Sequence, residues 1–351
     1  MSIDPGLQND TCPFIEAIAG DGGNHNVGGQ WWLSPDIALV GPVSGADSAD
    51  AGRQNTVTVT AHLKSPCTPD ASAHNVLVEL WVGNPALAMS PNVNTRQIQA
   101  TALIPLGSFG ATHKASHVFN WTPPSGAVDP DPEAPGHKCL IARVYTDAIG
   151  VIPDGSSFHL ADDQHSAQHN ITVVAAAVGQ KIKILISTGN PAKIAQKVNI
   201  NVLQDLKPSA FVLKAITPAL QRLNFTGISN TPATVTLETT NFQRHIATEL
   251  IQAKVGPGNL AATDVASHLT PAAHAIETEA NFTADASGRF GTLAHPNIRS
   301  ILPLKPHVFD TFALTADLTH AQKGHAVVYH ATQTGADGKP QGGLTVVVLP
   351  R

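Results

Sequence analysis

The chain has 351 residues, of which 42% are hydrophobic and only 13% charged, with 28 glycines and 26 prolines. This length exceeds one ordinary β-sandwich and suits two domains. The glycine and proline content predicts many turns and few long helices. The formal net charge of −5 comes without any basic run, which excludes the clustered Lys and Arg of a nucleic-acid binder.

The first thirty residues read as an irregular arm, because 20-GDGGNHNVGGQ-30 cannot hold a regular element cheaply. A short helix near 13-PFIEAIA-19 is compatible with the pattern. The start, MSIDPGLQND, has neither a basic n-region nor an apolar h-region, so the sequence as it stands carries no secretory signal. An extracellular location, by another route or after signal removal, is favoured over the cytoplasm. Cys12, Cys67 and Cys139 form neither a disulfide framework nor a zinc spacing. Cys139 fits an apolar strand, and a bridge between Cys12 and Cys67 stays open.

From Trp31 the pattern turns to period two. The stretch 31-WWLSPDIALV-40 leads into 55-NTVTVTAHL-63, where Val57, Val59, Ala61 and Leu63 alternate with mostly threonine, the mark of a half-buried strand. Further strands are expected at 76–82, 98–106, 116–123, 139–146 and 168–174. About seven short strands separated by turn signals predict an immunoglobulin-like sandwich over 31–176. The order "W-x-SPDI", a Thr/Val strand, a strand carrying Trp81, "VFNW-x-P", "H-x-CLIARV" and a polar loop closing on "Q-x-N-I" resembles bacterial immunoglobulin-like adhesion and spacer domains, the CARDB type in particular. That resemblance implies a fold and a scaffolding habit, and it carries no catalytic residues.

The second half, 177–351, repeats the grammar. Strands are expected within 180–206, at 210–216 and at 233–239. The segment 245–255 fits neither period cleanly. A terminal hairpin is expected from 325–333 and 344–350 around Asp337-Gly338. The expected fold class is therefore all-β: two tandem immunoglobulin-like β-sandwich domains, 31–176 and 177–351, behind an irregular N-terminal arm, 1–30. No membrane span is expected, since the longest apolar run, near 171–178, falls well short of the ~20 residues a helix needs.

Several constellations invite a chemical reading. Trp31 and Trp32 could stack on a ligand or plug a core. On a strand, successive side chains take opposite faces, which would leave one indole for a ligand or subunit contact; Trp121 would share the core with the other. Asp162, Asp163, His165 and His169 combine carboxylate and imidazole, which suits a transition metal. On a strand, His165 and His169 would stand ~13 Å apart and could not share an ion, so such a site requires a loop. Asp129, Asp131 and Glu133 could cup calcium but lack the glycine and length of an EF-hand. His320, His325 and His330, spaced by five, share no regular face. No G-x-S-x-G, H-E-x-x-H or Walker A pattern is present. N-x-S/T sequons occur at Asn9, Asn120, Asn170, Asn224 and Asn281.

The sequence thus favours a non-enzymatic structural or interaction protein without a cofactor, acting on a protein partner or by self-association. Alternatives are an accessory module binding a carbohydrate, a surface or a partner enzyme in a secreted or injected system, and a metal-assisted hydrolase with a loop-borne site.

Overall fold

The computed structural model describes residues 12–25, 30–43, 45–46, 49–50, 52–67, 72–83, 87–91, 95–123, 139–148, 158, 160–161, 163–176, 181–190, 194–222, 224–231, 235–239, 289–293, 297–304 and 309–350. The expectations for Asp162, for Asp129, Asp131 and Glu133, and for 245–255 lie outside them.

Strand β4 (Asn55–Leu63) organises the first sheet. Val57, Val59 and Ala61 are fully buried, while the intervening threonines stay half-buried, as a period-two strand with one core face requires. One edge of β4 pairs antiparallel with β8 (Lys114–Trp121) from Asn55↔Trp121 to His62↔Lys114. The other edge is shared between β2 (Ile37–Gly41) and β1 (Pro13–Phe14), with β3 (Gly45–Ala46) outside β2. So part of the segment read as an arm is a piece of the body: Pro13 and Phe14 pair with Leu63 and His62, and Ile15 and Ala17 are buried. The disulfide Cys12–Cys67 closes this corner, while Cys139 is buried and in no disulfide.

The second sheet is built on β5 (Asn75–Gly83). It pairs with β9 (Cys139–Thr146) on one edge and with β7 (Ala102–Pro105) and β6 (Thr95–Gln97) on the other. Strand β10 (Ser166–His169) lies outside β9. Residues such as Ile37, Val59, Val78, Leu80, Phe119 and Trp121 fill the core between the two sheets.

The second sandwich has a sheet ordered β11 (Ile171–Ala176), β20 (Pro340–Pro350), β19 (His325–Thr334), β13 (Gln196–Gln204), β17 (Asn297–Leu304). Its partner sheet is ordered β12 (Lys181–Gly189), β18 (Phe309–Asp317), β15 (Val235–Thr239), β16 (Arg289–Leu293). The β19–β20 hairpin turns where Asp337-Gly338 predicts it, with Gly338 at φ 77°. Strands β10 and β11 belong to different sandwiches, so the chain passes between them at Asn170, upstream of the 176/177 boundary. An unbroken extended run hides that switch in the sequence.

One expected strand is a helix. Residues 210–216 open α1 (Ala210–Arg222), which buries Val212, Ile216 and Leu220. That i, i+4, i+8 stripe is helical, and it is visible only when the window extends beyond the first seven residues. Ser209 caps the helix, its Oγ accepting from Val212 N at 3.3 Å.

A third core joins the sandwiches. It gathers Trp31, Trp32, Trp81 and Ile141 from the first half with α1 and with Ala326, Val328, Val347 and Leu349 from the second. Strands β19 and β20 therefore bury both faces: Val327, Tyr329, Val346 and Val348 point into their own sandwich core. Leu87, from the first half, inserts into that second core.

Two glycines of β20 make this approach feasible. A Cβ on Gly343 would overlap the Trp32 ring, and one on Gly342 would overlap the Leu87 backbone carbonyl. Gly343→Ala should cost about 1–3 kcal/mol in urea unfolding. Gly107→Ala, where a Cβ meets open space, should stay within about 0.5 kcal/mol.

Candidate functional site

Trp31 and Trp32 sit in a turn closed by Leu33 N donating to Gln30 O at 3.1 Å, so strand alternation does not separate them. Both are buried, at 5% and 4% exposure, and meet edge to face at 5.6 Å between ring centroids. Neither indole is presented to solvent for stacking. Trp121 lies in the first sandwich core, apart from this pair.

The indole of Trp32 begins a directional chain. Its Nε1 donates to Thr345 Oγ1 at 2.8 Å, and Thr345 Oγ1 lies 3.0 Å from His330 Nδ1. His330 Nε2 lies 3.0 Å from Asp205 Oδ2. Indole N–H can only donate and a carboxylate can only accept. The order that satisfies every group runs Trp32 to Thr345, Thr345 to Nδ1 of a neutral imidazole, and Nε2–H to Asp205. Around it, Gly343 O accepts from Gln168 Nε2 at 2.9 Å and Asn170 Nδ2 at 2.7 Å, and Asn170 N donates to Trp32 O. The sequon asparagine Asn170 is thus a buried structural group. His320 is exposed, so the five-residue histidine series splits, and only His330 takes part.

Asp163 and His165 do come together. Asp163 Oδ1 lies 2.8 Å from His165 Nδ1, and Oδ2 accepts from Ser166 Oγ at 3.1 Å. Burial alone would push Asp163 up, but the His165 and Ser166 hydrogen bonds and the His165 charge hold it below the usual carboxylate range. His169 points elsewhere, its Nδ1 3.1 Å from Ser34 O. His165 precedes β10 and His169 ends it, so the extended backbone between them separates the two rings.

On the outer face of the second sheet lies a buried ionic cluster. Glu79 and Arg143 are cross-strand partners on β5 and β9. Glu79 accepts from Trp81 Nε1 at 2.9 Å and from Tyr145 OH at 2.6 Å. Arg143 Nη1 lies 3.7 Å from Glu79 Oε2, and the guanidinium covers the Phe158 ring at 4.2 Å. Burial pulls Arg143 down to about 10 against the pull of Glu79 and Asp163, leaving it charged at neutral pH. Burial, then the Glu79 charge, raises Tyr145.

A further cluster has no local signature in the sequence. Glu16 follows β1, Asp36 precedes β2, and His62 lies on β4. Their ligand atoms all fall within 4.8 Å of one another. Asp36 and His62 are buried and Glu16 is half-buried.

No protein-family model and no curated protein matches the chain. Among solved structures, a family 123 glycoside hydrolase from Clostridium perfringens aligns at 8% identity and TM-score 0.25, covering 52% of this chain and 23% of that one. The collagen adhesin of S. aureus aligns at 9% identity and TM-score 0.24, covering 90% of this chain and 93% of that one. The C-terminal domain of the Streptococcus pyogenes antigen I/II-family protein AspA aligns at 8% identity and TM-score 0.21, covering 90% and 99%. Likenesses this loose bear on no residue and no activity.

Burial lowers His330, more than Asp205 raises it. The unfolded chain therefore takes up this proton first, and stability falls as pH drops below about 6.5 towards the folded value. Thermal melts from pH 7.5 to 5.5 should show a falling Tm, with the slope reduced in His330→Gln. Separately, Glu79→Ala leaves the Arg143 charge buried and uncompensated, and should cost about 3–5 kcal/mol in urea unfolding. The double variant Glu79→Met with Arg143→Met should recover only part of that loss, because Trp81 Nε1 and Tyr145 OH still lose their acceptor.

Proposed function

We propose that the chain is a non-enzymatic structural or interaction protein, in which two immunoglobulin-like sandwiches are held in fixed relation and act through protein contacts or self-assembly. The joint carries this reading. The groups with the most chemical potential in the sequence, the paired tryptophans, His330, Gln168 and Asn170, are engaged in joining the two halves. A shared apolar core crossed by a directional polar chain resists bending, which suits a spacer or presenting scaffold. The disulfide Cys12–Cys67 favours an oxidising compartment. No helix among the described residues is long and apolar enough to cross a membrane.

Strand β8 is the surface that fits a protein partner. It pairs with β4 on one side, and no described strand pairs with its other side. Lys114, Ser116 and Asn120 flank Val118, which is 51% exposed. An eight-residue edge offers its free N–H and C=O groups to an added strand, and an exposed valine adds apolar contact. A second copy of the chain is the simplest donor.

Light scattering after gel filtration of the full chain should reveal a concentration-dependent oligomer. Val118→Lys, a charge of the kind that blunts natural sheet edges, should weaken association at least about tenfold, or ~1.4 kcal/mol, with Tm nearly unchanged. A monomer at every concentration would overturn self-assembly through β8.

A further inference from the structure

We infer that Glu16, Asp36 and His62 form a binding site for one divalent transition cation of the zinc class, which clips the N-terminal segment to the first sandwich. This inference is independent of the proposed function.

The three donors come from three separate elements. Phe14 stacks on the His62 ring at 4.9 Å between centroids and 30° between planes, fixing its plane from one side. His62 Nε2 lies 2.8 Å from Asp36 Oδ2. That N–H is nevertheless not aligned to donate, and Nε2 is a buried nitrogen without a hydrogen bond in the structure. The same Asp36 oxygen already accepts from Glu16 N at 2.6 Å. A close but misaligned approach of a buried imidazole nitrogen to a carboxylate is what two ligands aimed at a common third atom would show.

Charge argues the same way. Two carboxylates share this corner, and among the described residues neither has a lysine or arginine partner. Bringing them together in a largely buried setting is unfavourable unless a positive charge lies between them. His62 can supply one only if protonated; a divalent cation supplies two and takes the neutral imidazole as a ligand.

Distances fit as well. Zinc lies about 2.0–2.2 Å from imidazole nitrogen and carboxylate oxygen, so two ligands of one ion stand roughly 3–3.5 Å apart. The three groups already lie within 4.8 Å of one another, so their donor atoms stand at most about 1–2 Å beyond that spacing. One imidazole and two carboxylates suit zinc or manganese better than a soft-ligand metal.

The supporting shell is in place. Ser34 Oγ donates to Glu16 O and accepts from Asp36 N at 3.2 Å, tying the two ligand loops together. Glu16 Oε2 accepts from Gly20 N at 3.1 Å, and Asp21 Oδ2 accepts from Ala17 N and Ile18 N, which holds the turn that carries Glu16. The disulfide Cys12–Cys67 fastens the same segment from its other end.

The test is isothermal titration of the chelator-treated full chain with zinc, manganese and calcium chlorides, with thermal melts of the same samples. We expect one saturable equivalent of zinc or manganese, a weaker response to calcium, and a Tm rise of about 4 °C at a hundredfold excess over Kd. Glu16→Gln and Asp36→Asn, which keep their hydrogen-bond acceptors, should each weaken that equivalent by at least the roughly 10–100-fold that loss of an outer-shell partner costs, with the metal-free Tm of each variant measured alongside to confirm that it folds. Seventeen histidines offer other weak sites, so the variants decide the location. Absence of a saturable equivalent, or unchanged affinity in both variants, would overturn the inference.

Discussion

The arrangement of the whole chain depends on one steric fit. The ring of Trp32 occupies the space where Gly343 has no side chain, and the backbone of Leu87 does the same over Gly342. Interiors are packed too densely to accept even one surplus methyl without displacement. Two successive glycines in a strand weaken it entropically. That cost is offset because they let a second sandwich approach β20 closely enough to build a shared core. With that core in place, β19 and β20 bury both faces, and the helix α1 finds a surface for Val212, Ile216 and Leu220.

The polar groups of the joint follow from the same constraint. Closing a core over Trp32 N–H, the Asn170 amide, the Gln168 amide and His330 would be unfavourable if any lost its partner. Each donor has a partner: Thr345, Gly343 O, Gly343 O and Asp205, respectively, while the acceptor side of the Gln168 amide, Oε1, is buried without one. The result is a joint with direction as well as area, since hydrogen bonds specify a register that apolar packing alone leaves free. The Glu79–Arg143 pair on the neighbouring sheet face is less completely satisfied, since Arg143 Nε and Nη1 are buried without a hydrogen bond. It adds little net stability, because desolvation opposes the attraction, but it penalises any packing in which Phe158 and Trp81 fail to cover it.

The N-terminal corner shows a second, smaller version of this logic. Among the described residues, strand pairing holds residues 12–25 at Pro13 and Phe14. A disulfide, the buried Ile15 and Ala17, the His25 ring between Leu160 O and Ile15 O, and the Glu16–Asp36–His62 cluster supply the rest. Gly23 and His25, in a stretch that looks free in the sequence, are held by contacts to Phe14, Gln164, Leu160 and Ile15.

The sequence by itself determined the strongly alternating strands, though not β1 or the helix that opens at Ala210. NTVTVTAHL, the Cys139–Thr146 run and the terminal hairpin each carry their period and their turn signals within a few residues, and alternation is a property of the local backbone. The immunoglobulin-like class followed, because enough such strands in series have few ways to cover their apolar faces. What only the tertiary structure decided lies between residues far apart in the chain. Trp32 meets Thr345 across 313 positions and His330 meets Asp205 across 125, while Glu16 bonds Asp36 across 20. Whether an indole stacks a ligand or fills a joint depends on a glycine at the other end of the protein, and whether a histidine is solvated or a candidate ligand depends on which strands are neighbours. Those contacts arise from the packing of whole elements, and no local pattern encodes them.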